Sequence, residues 1–325
     1  MLTERLSTRI AILSSHIAFR YRAWLYLIFL ILPTGLPAGN NNTLLLLSGD
    51  SAVYHKAAEL TIEFFEKNCS HHTCKDTQFK KALISDQSNR QIDARLILTY
   101  GTRAAVLPKT LADYQSVIHA MLPRQNSTIK QQTNLDHKSV DIYIDQPFSR
   151  YFQLISATIP RATRVGILIH ESNKSSIDSL THEAKTLGLT LNIALVKSGN
   201  IGKSLSRLLG EIDVLLAIPD SRIHNSKTIS NILTTSYRNK IPVIGFSSAY
   251  VKAGAVAGVF TSLDNIAQEA AEAALNVFNS NAIPSQQNAA KYFSISINTE
   301  VARSLGIKLP PTNEVMKLID SELVK

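Results

Sequence analysis

Apolar, β-branched runs that break at Gly, Ser, Asn or Asp and then give way to a helical spacing recur along this chain. "TLLLLSGDSAVYHKAAELTIEFF" (43–65) reads as a strand, the turn Ser48-Gly49-Asp50, then a helix. "ARLILTYGTRAAVL" (94–107) turns at Gly101-Thr102, and "TRVGILIHESNKSSIDSLTHEAKTLGL" (163–189) turns through Glu171 to Ser176. "IDVLLAIPDSRIHNSK" (212–227) turns at Pro219-Asp220-Ser221-Arg222, and "IPVIGFSSAYVKAG" (241–254) at Ser247-Ser248. Strands that alternate with helices in this way predict an α/β fold with parallel sheets covered on both faces. From Ser262, a helix N-cap with Asp264 in the first turn, Ile266, Ala270, Ala274 and Phe278 recur every four positions and predict one buried helix face. Asn279, Ser280 and Asn281, before Pro284, predict its end. Residues 124–139 are polar and aperiodic, which predicts a loop or a connection between lobes.

Parallel strands bring their C-terminal ends to one edge, and open α/β sheets bind ligands outside those ends. Polar turn residues after several strands therefore point to a cleft. Each of them is read either as a ligand contact or as a helix cap.

The N-terminus changes the picture by setting the compartment. Arg5, Arg9, Arg20 and Arg22 precede the apolar run Ala23–Leu32, which is followed by Pro33, Gly35, Ala38 and Gly39. Basic, apolar and small-residue regions in that order predict that residues 1–39 are a secretory signal, with an uncleaved anchor as the alternative. The apolar run is shorter than the roughly 20 residues that span a bilayer. Export from the cytoplasm is the expectation. An oxidising compartment favours a disulfide between Cys69 and Cys74 in "NCSHHTCKD" (68–76), the chain's two cysteines. Two free thiols, or a metal site shared with His71 and His72, are the alternatives, the second disfavoured because all ligands would fall within one short stretch. The net charge of +9 is scattered rather than interleaved with aromatics, so nucleic-acid binding is not expected.

Three stretches resemble the ABC transporter substrate-binding proteins, in the group that includes tryptophan- and tyrosine-binding members. They are "RYFQLISATIPRATRVGILIHESNKSSI" (150–177), the segment 212–260 from "IDVLLAIPDSR" to "AGAVAGVF", and "YFSISINTEVARSLGIKLP" (292–310), with a weaker likeness over 43–106. The resemblance implies the type I periplasmic-binding-protein fold, in which two Rossmann-like lobes joined by a multi-strand hinge close over a small molecule. It implies one lobe of 41–142 plus 248–284 and another of 143–247 plus 285–325. The hinge crossings would fall near Tyr143–Pro147, Phe246–Ser248 and Tyr292–Asn298.

Amino-acid-binding members look like N-x-S-E-x-N-S at the first turn of the second lobe, where this chain reads His170-Glu171-Ser172-Asn173-Lys174-Ser175-Ser176. Asn173 thus replaces an acidic residue and Ser175 an asparagine. At the next turn, where the family often reads P-T-D-N-T, this chain has Pro219-Asp220-Ser221-Arg222-Ile223, so Asp220, at a shifted position, is the carboxylate that remains for an amino group, and these departures speak against an amino-acid ligand.

The expected ligand contacts follow from the turns. Ser172, Asn173, Ser175 and Ser176 open a helix whose free N–H groups suit an anion. Asp220 and Ser221 follow the next strand with Arg222, a fork for an anion. Ser48, Asp50, Thr102 and Arg103 face them from the other lobe, and Ser247, Ser248 and Tyr250 follow a later strand, Tyr250 offering a ring for stacking. "GNIGKS" (199–204) lacks the first glycine of a phosphate loop, since Lys197 stands there, and no G-x-G-x-x-G or G-x-S-x-G is present. Isolated histidines such as His119, His170, His182 and His224 read as packing or surface residues. The expectation is a monomeric, cofactor-free binding protein rather than an enzyme, which delivers a small polar or aromatic solute to an ABC permease in the inner membrane. The alternative is an accessory module that reports to a sensor kinase or outer-membrane receptor.

Overall fold

The computed structural model describes residues 42–70, 72–87, 92–106, 115–124, 139–197, 200–280, 283 and 289–322. The expected signal (1–39), most of the polar connection at 124–139, and Asn281 and Pro284 lie outside them.

The first sheet is built from β1 (Asn42–Leu47), β2 (Gln78–Leu83), β3 (Leu96–Tyr100), β4 (Ser116–Leu122) and β5 (Ser139–Tyr143), in the order β2-β1-β3-β4-β5, all parallel. Its central strands are apolar almost end to end because parallel strands are covered on both faces, and every residue of β3 is buried. At the edge, β2 carries exposed Lys80 and Lys81, charges that discourage pairing with another chain. The connecting helices are α1 (Ala52–Asn68), α2 (His72–Lys75), α3 (Ile84–Gln87) and α4 (Thr102–Ala105).

After β5 the chain runs through α5 (Phe148–Thr158) into a second sheet. Its strands are β6 (Arg164–His170), β7 (Thr190–Val196), β8 (Val214–Leu216), β9 (Val243–Gly245), β10 (Ala257–Phe260) and β11 (Ser294–Ile297). The order is β11-β10-β9-β8-β6-β7, with β11 alone antiparallel to its neighbour. Counted from β6, the parallel strands repeat the 2-1-3-4-5 order of the first sheet, a doubly wound arrangement. Around it lie α6 (Ile177–Thr186), α7 (Ile201–Leu209), α8 (Ile229–Arg238) and α9 (Ser248–Lys252). The last helices are α10 (Leu263–Ser280), α11 (Thr299–Ser304) and α12 (Thr312–Glu322).

Helix α10 returns to the first sheet and packs along α1. Its four-residue spacing buries Ile266, Ala270, Ala274 and Phe278, and the Phe278 ring meets Phe65 edge-on at 5.6 Å. Ser262 caps it, its Oγ accepting from Asn265 N at 3.2 Å while Asn265 Oδ1 accepts from Ser262 N at 3.0 Å.

The strand pairing corrects the division implied by the resemblance, which placed 248–260 with the first lobe. Strand β10 pairs with β9, Ala257 opposite Ile244 and Gly258 opposite Gly245, so this segment belongs to the second sheet. Small residues permit the close approach: a Cβ at Gly258 would stand 2.9 Å from Gly245 O, and one at Gly245 would stand 3.0 Å from Tyr250 Cβ. The second passage between sheets is therefore at Thr261–Ser262 rather than at Phe246–Ser248. The first is at 144–147 and the third runs from the end of α10 to β11.

Candidate functional site

At the first sheet's strand ends the turn residues serve the fold. Ser48, buried after β1, accepts a hydrogen bond on its Oγ from Ala104 N at 2.9 Å and so ties β1 to α4. Gly101 permits this with φ +86°, since a Cβ there would lie 2.8 Å from both Ser48 Oγ and Tyr54 Oη. Asp50 points to solvent and pairs with His55 at 2.7 Å. Thr102 is half-buried at the start of α4, and Arg103 is exposed.

At the second sheet two of the predicted turns meet. Asn173 Nδ2 donates to Asp220 Oδ2 at 2.8 Å, and Asp220 Oδ1 accepts from Arg222 N at 3.0 Å. Asp220 is thus buried, and each of its carboxylate oxygens accepts a hydrogen bond from within the protein. Ser172 Oγ lies 2.9 Å from His170 Nδ1, Ser176 Oγ donates to Asn173 O at 2.7 Å, and Ser175 is exposed. Ser221 and Arg222 have exposed side chains.

The third predicted turn faces inward. Ser247 caps α9, accepting from Tyr250 N at 3.1 Å, and Ser248 is half-buried. The Tyr250 ring is enclosed between Phe246 (5.3 Å) and His224 (5.5 Å), and its hydroxyl lies 3.0 Å from His224 Nδ1. Burial raises the Tyr250 phenol and lowers the His224 imidazole to about 4. Tyr250 is a core residue, which corrects the stacking role expected of it.

A cavity of about 320 Å³ lies where the two sheets' strand ends come together. Pro123 and Arg124 reach it from the end of β4, and Asp145 and Gln146 from the first passage between sheets. Phe148 and Tyr151 of α5 wall it, with Ser176 and Ser179 after β6 and Ile218 and Pro219 after β8 opposite. Of the predicted residues Ser176 lines it, while Asn173 and Asp220 hold its rim through their bonds to Ser176 and to each other. A shallower depression of about 460 Å³ is lined wholly by residues of the stretch 299–309, so no meeting of sheets encloses it.

Asp145 supplies the cavity with a carboxylate. Its Oδ2 accepts from Arg124 N at 2.6 Å, and burial, the largest influence, raises its pKa above the ordinary value. Burial likewise raises the Tyr151 phenol, with the Asp145 charge acting in the same direction. Sequence reasoning missed Arg124, Asp145, Gln146, Phe148 and Tyr151 as site residues. The available signal was the polar pair Asp145-Gln146 between the end of β5 and Pro147-Phe148, read only as a hinge crossing.

Cys69 and Cys74 form a disulfide, Cα–Cα 5.9 Å, with Cys74 buried in the first core. Among the described residues no three of His, Cys, Asp and Glu gather to hold a metal ion, and no helix is long and apolar enough to cross a membrane.

Comparison with known proteins places this architecture. The ligand-free, open structure of a substrate binding protein with adhesive properties from Clostridium difficile superposes with TM-score 0.66, at 17% identity over 84% of this chain and 97% of that one. The ABC domain in complex with L-Trp from Streptococcus pneumonia gives 0.55, at 17% identity over 85% and 98%. At those identities the likeness is one of fold, the type I periplasmic-binding-protein fold. A curated tyrosine-binding protein of Clostridioides difficile (strain R20291) is 27% identical over 135 residues, which is 40% of this chain and 39% of that relative. The match spans under half of either protein. The family model described as ABC transporter substrate binding protein matches residues 141–321. Because that match runs over more than half of the chain and takes in every strand of the second sheet, the chain belongs to the ABC transporter substrate binding protein family.

Proposed function

We propose that this protein is the periplasmic solute-binding component of an ABC-type uptake system, a monomer that captures a small amine-bearing molecule in the 320 Å³ cavity and presents it to a permease. The observation that carries the reading is the cavity itself, which draws its walls from both sheets at their C-terminal strand edges. Its size is at the small end of ligand pockets, about 300–1,000 Å³.

The lining favours an ammonium group beside an apolar or aromatic body. Asp145 accepts one backbone bond and has lone pairs left, and a cation beside it favours the charged carboxylate that burial disfavours. Phe148 and Tyr151 supply ring surface, and Arg124 supplies a cation for any carboxylate the ligand carries. The tyrosine-binding name of the curated relative points the same way. Closure requires only that the ligand touch both lobes more in the closed state than in the open one.

Thermal unfolding with L-tyrosine, L-tryptophan, aromatic amines and fractionated cell extract tests the reading. A ligand of the folded state raises the midpoint saturably. Asp145→Asn is expected to weaken an amine-bearing ligand by about tenfold or more, the worth of one charge-assisted hydrogen bond. A midpoint unmoved by every probe and fraction overturns solute capture. A ligand that binds Asp145→Asn and the parent equally overturns the amine assignment alone.

A further inference from the structure

The covalent links between the two sheets are the passages at 144–147, at Thr261–Ser262 and from the end of α10 to β11. One side-chain amide joins them. Gln146 is 2% exposed. Its Nε2 donates to Thr261 Oγ1 at 2.7 Å, in the second passage, and to Tyr292 O at 3.2 Å, in the third. Its Oε1 accepts from Arg150 at 2.5 Å, and the same guanidinium donates to Ala290 O at 2.6 Å and Lys291 O at 3.2 Å. Thr261 Oγ1 closes the circuit by donating to Ile144 O at 2.8 Å.

The amide's orientation is unambiguous, because its oxygen faces a donor-only guanidinium and its nitrogen faces a carbonyl that can only accept. Both N–H groups and the oxygen are engaged. A rotation of one lobe against the other must be absorbed in these passages, so it has to lengthen or exchange at least one bond of a buried amide. An unmade bond there costs more than a surface bond, because water does not replace it. Gln146 also lines the cavity next to Asp145. A group that draws on the 145–146 backbone therefore acts directly on the residue that ties the passages.

We propose that Gln146 is the positioning residue of the hinge: its amide fixes the setting of the two lobes in the ligand-free protein, and an occupant of the cavity changes that setting through it. The second clause rests on the reading of the cavity as the ligand site; the first does not.

The test measures lobe separation without any ligand. Spin labels on Lys56→Cys in α1 and Lys185→Cys in α6, both exposed positions, report the distance between lobes while Cys69 and Cys74 remain bonded. The parent is expected to give one narrow distribution. Gln146→Met, similar in shape but without the amide, is expected to broaden it by several ångströms. Thr261→Val, which removes the hydroxyl's two bonds at a half-buried site and leaves the Gln146 bonds to Tyr292 and Arg150 in place, is expected to broaden it less, and Thr261→Ser to restore the parent distribution. Circular dichroism shows which variants are folded, and if Gln146→Met is not, Thr261→Val against Thr261→Ser decides. Parent-like distributions from folded Gln146→Met, or from Thr261→Val where that variant decides, overturn the proposal. A change in distribution with no ligand found by thermal unfolding leaves the hinge assignment standing and removes the solute reading.

Discussion

Ser48 and Gly101 show how a turn at the ligand-binding edge of a sheet is used to hold that edge together. The Ser48 hydroxyl is the acceptor for Ala104 N in a buried place, so Ser48→Ala is expected to destabilise the protein by about 1 kcal/mol, the usual worth of such a capping oxygen. Gly101→Ala is expected to cost more, because it combines a left-handed φ of +86° with a contact of 2.8 Å to the Ser48 and Tyr54 oxygens. Urea unfolding of both variants checks the order, and a Gly101→Ala protein as stable as the parent contradicts it. Asp213 makes the same point at the opposite end of the second sheet. It accepts from Thr163 N at 3.0 Å, Arg164 N at 2.8 Å and the Arg164 guanidinium at 2.7 Å. The Arg164 hydrogen bond, the largest favourable influence, holds its carboxyl well below the ordinary value of 3.8. A depressed carboxylate stabilises above its unfolded pKa and ceases to as pH falls through the folded one. Asp213→Ala is therefore expected to lower the melting temperature at pH 7, by an amount that shrinks below about pH 4.

Among the elements, α10 carries the first lobe's most distant contribution and its most unusual carboxyl. Glu269 lies buried where α10 meets the third passage, and its Oε2 accepts from Lys291 N at 3.1 Å. Burial raises it from 4.5 to about 7, with Glu272 adding to the rise and Lys291 and Arg150 opposing it. A carboxyl raised in the folded state favours the fold most below its unfolded pKa, and that contribution is lost as pH climbs from about 4.5 to about 7. Glu269→Gln, which keeps an acceptor for Lys291 N, is expected to melt above the parent at pH 8 by at least about 2 °C, and level with it near pH 4.5. The disulfide ties the end of α1 to α2 within a short loop, so its removal is expected to cost roughly 2 kcal/mol in the chain-entropy model. A melting temperature unmoved by reducing agent contradicts that expectation.

For the whole molecule, buried histidines set the acid limit. His119, hydrogen-bonded to Thr99 in the first sheet, and His224 under Tyr250 in the second are both lowered by burial from 6.5 to about 4. Between those values the unfolded chain takes up protons that the folded chain refuses, so stability falls as pH drops, by at most about 1.4 kcal/mol per pH unit for each imidazole. Glu269 works against this over much of the same interval, so Glu269→Gln is expected to steepen the acid decline. Nitrogen NMR of both imidazoles is expected to show the neutral form down to about pH 5. A charged signal at pH 6 from either would mean that its site is wetter than the packing indicates.

The α/β alternation, the parallel strands, the buried face of α10 and the turn residues at the strand ends are all local patterns of apolar and polar positions, so the sequence by itself determined them. The resemblance over 150–177 and 212–260 supplied the two-lobed fold. Asn173 and Ser176 were legible as turn residues at a strand end because a turn after a strand has a signature within a few residues. The tertiary structure alone decided which carboxylate faces the cavity, since Asp220 is engaged by Asn173, 47 residues away, and leaves that place to Asp145. It decided that Tyr250 packs inward, which follows from Gly245 leaving room for a ring and not from any spacing around Tyr250. Gln146 had no legible role, because its partners lie 115 and 146 residues along the chain and an amide's function is fixed only by the donors and acceptors that folding brings around it.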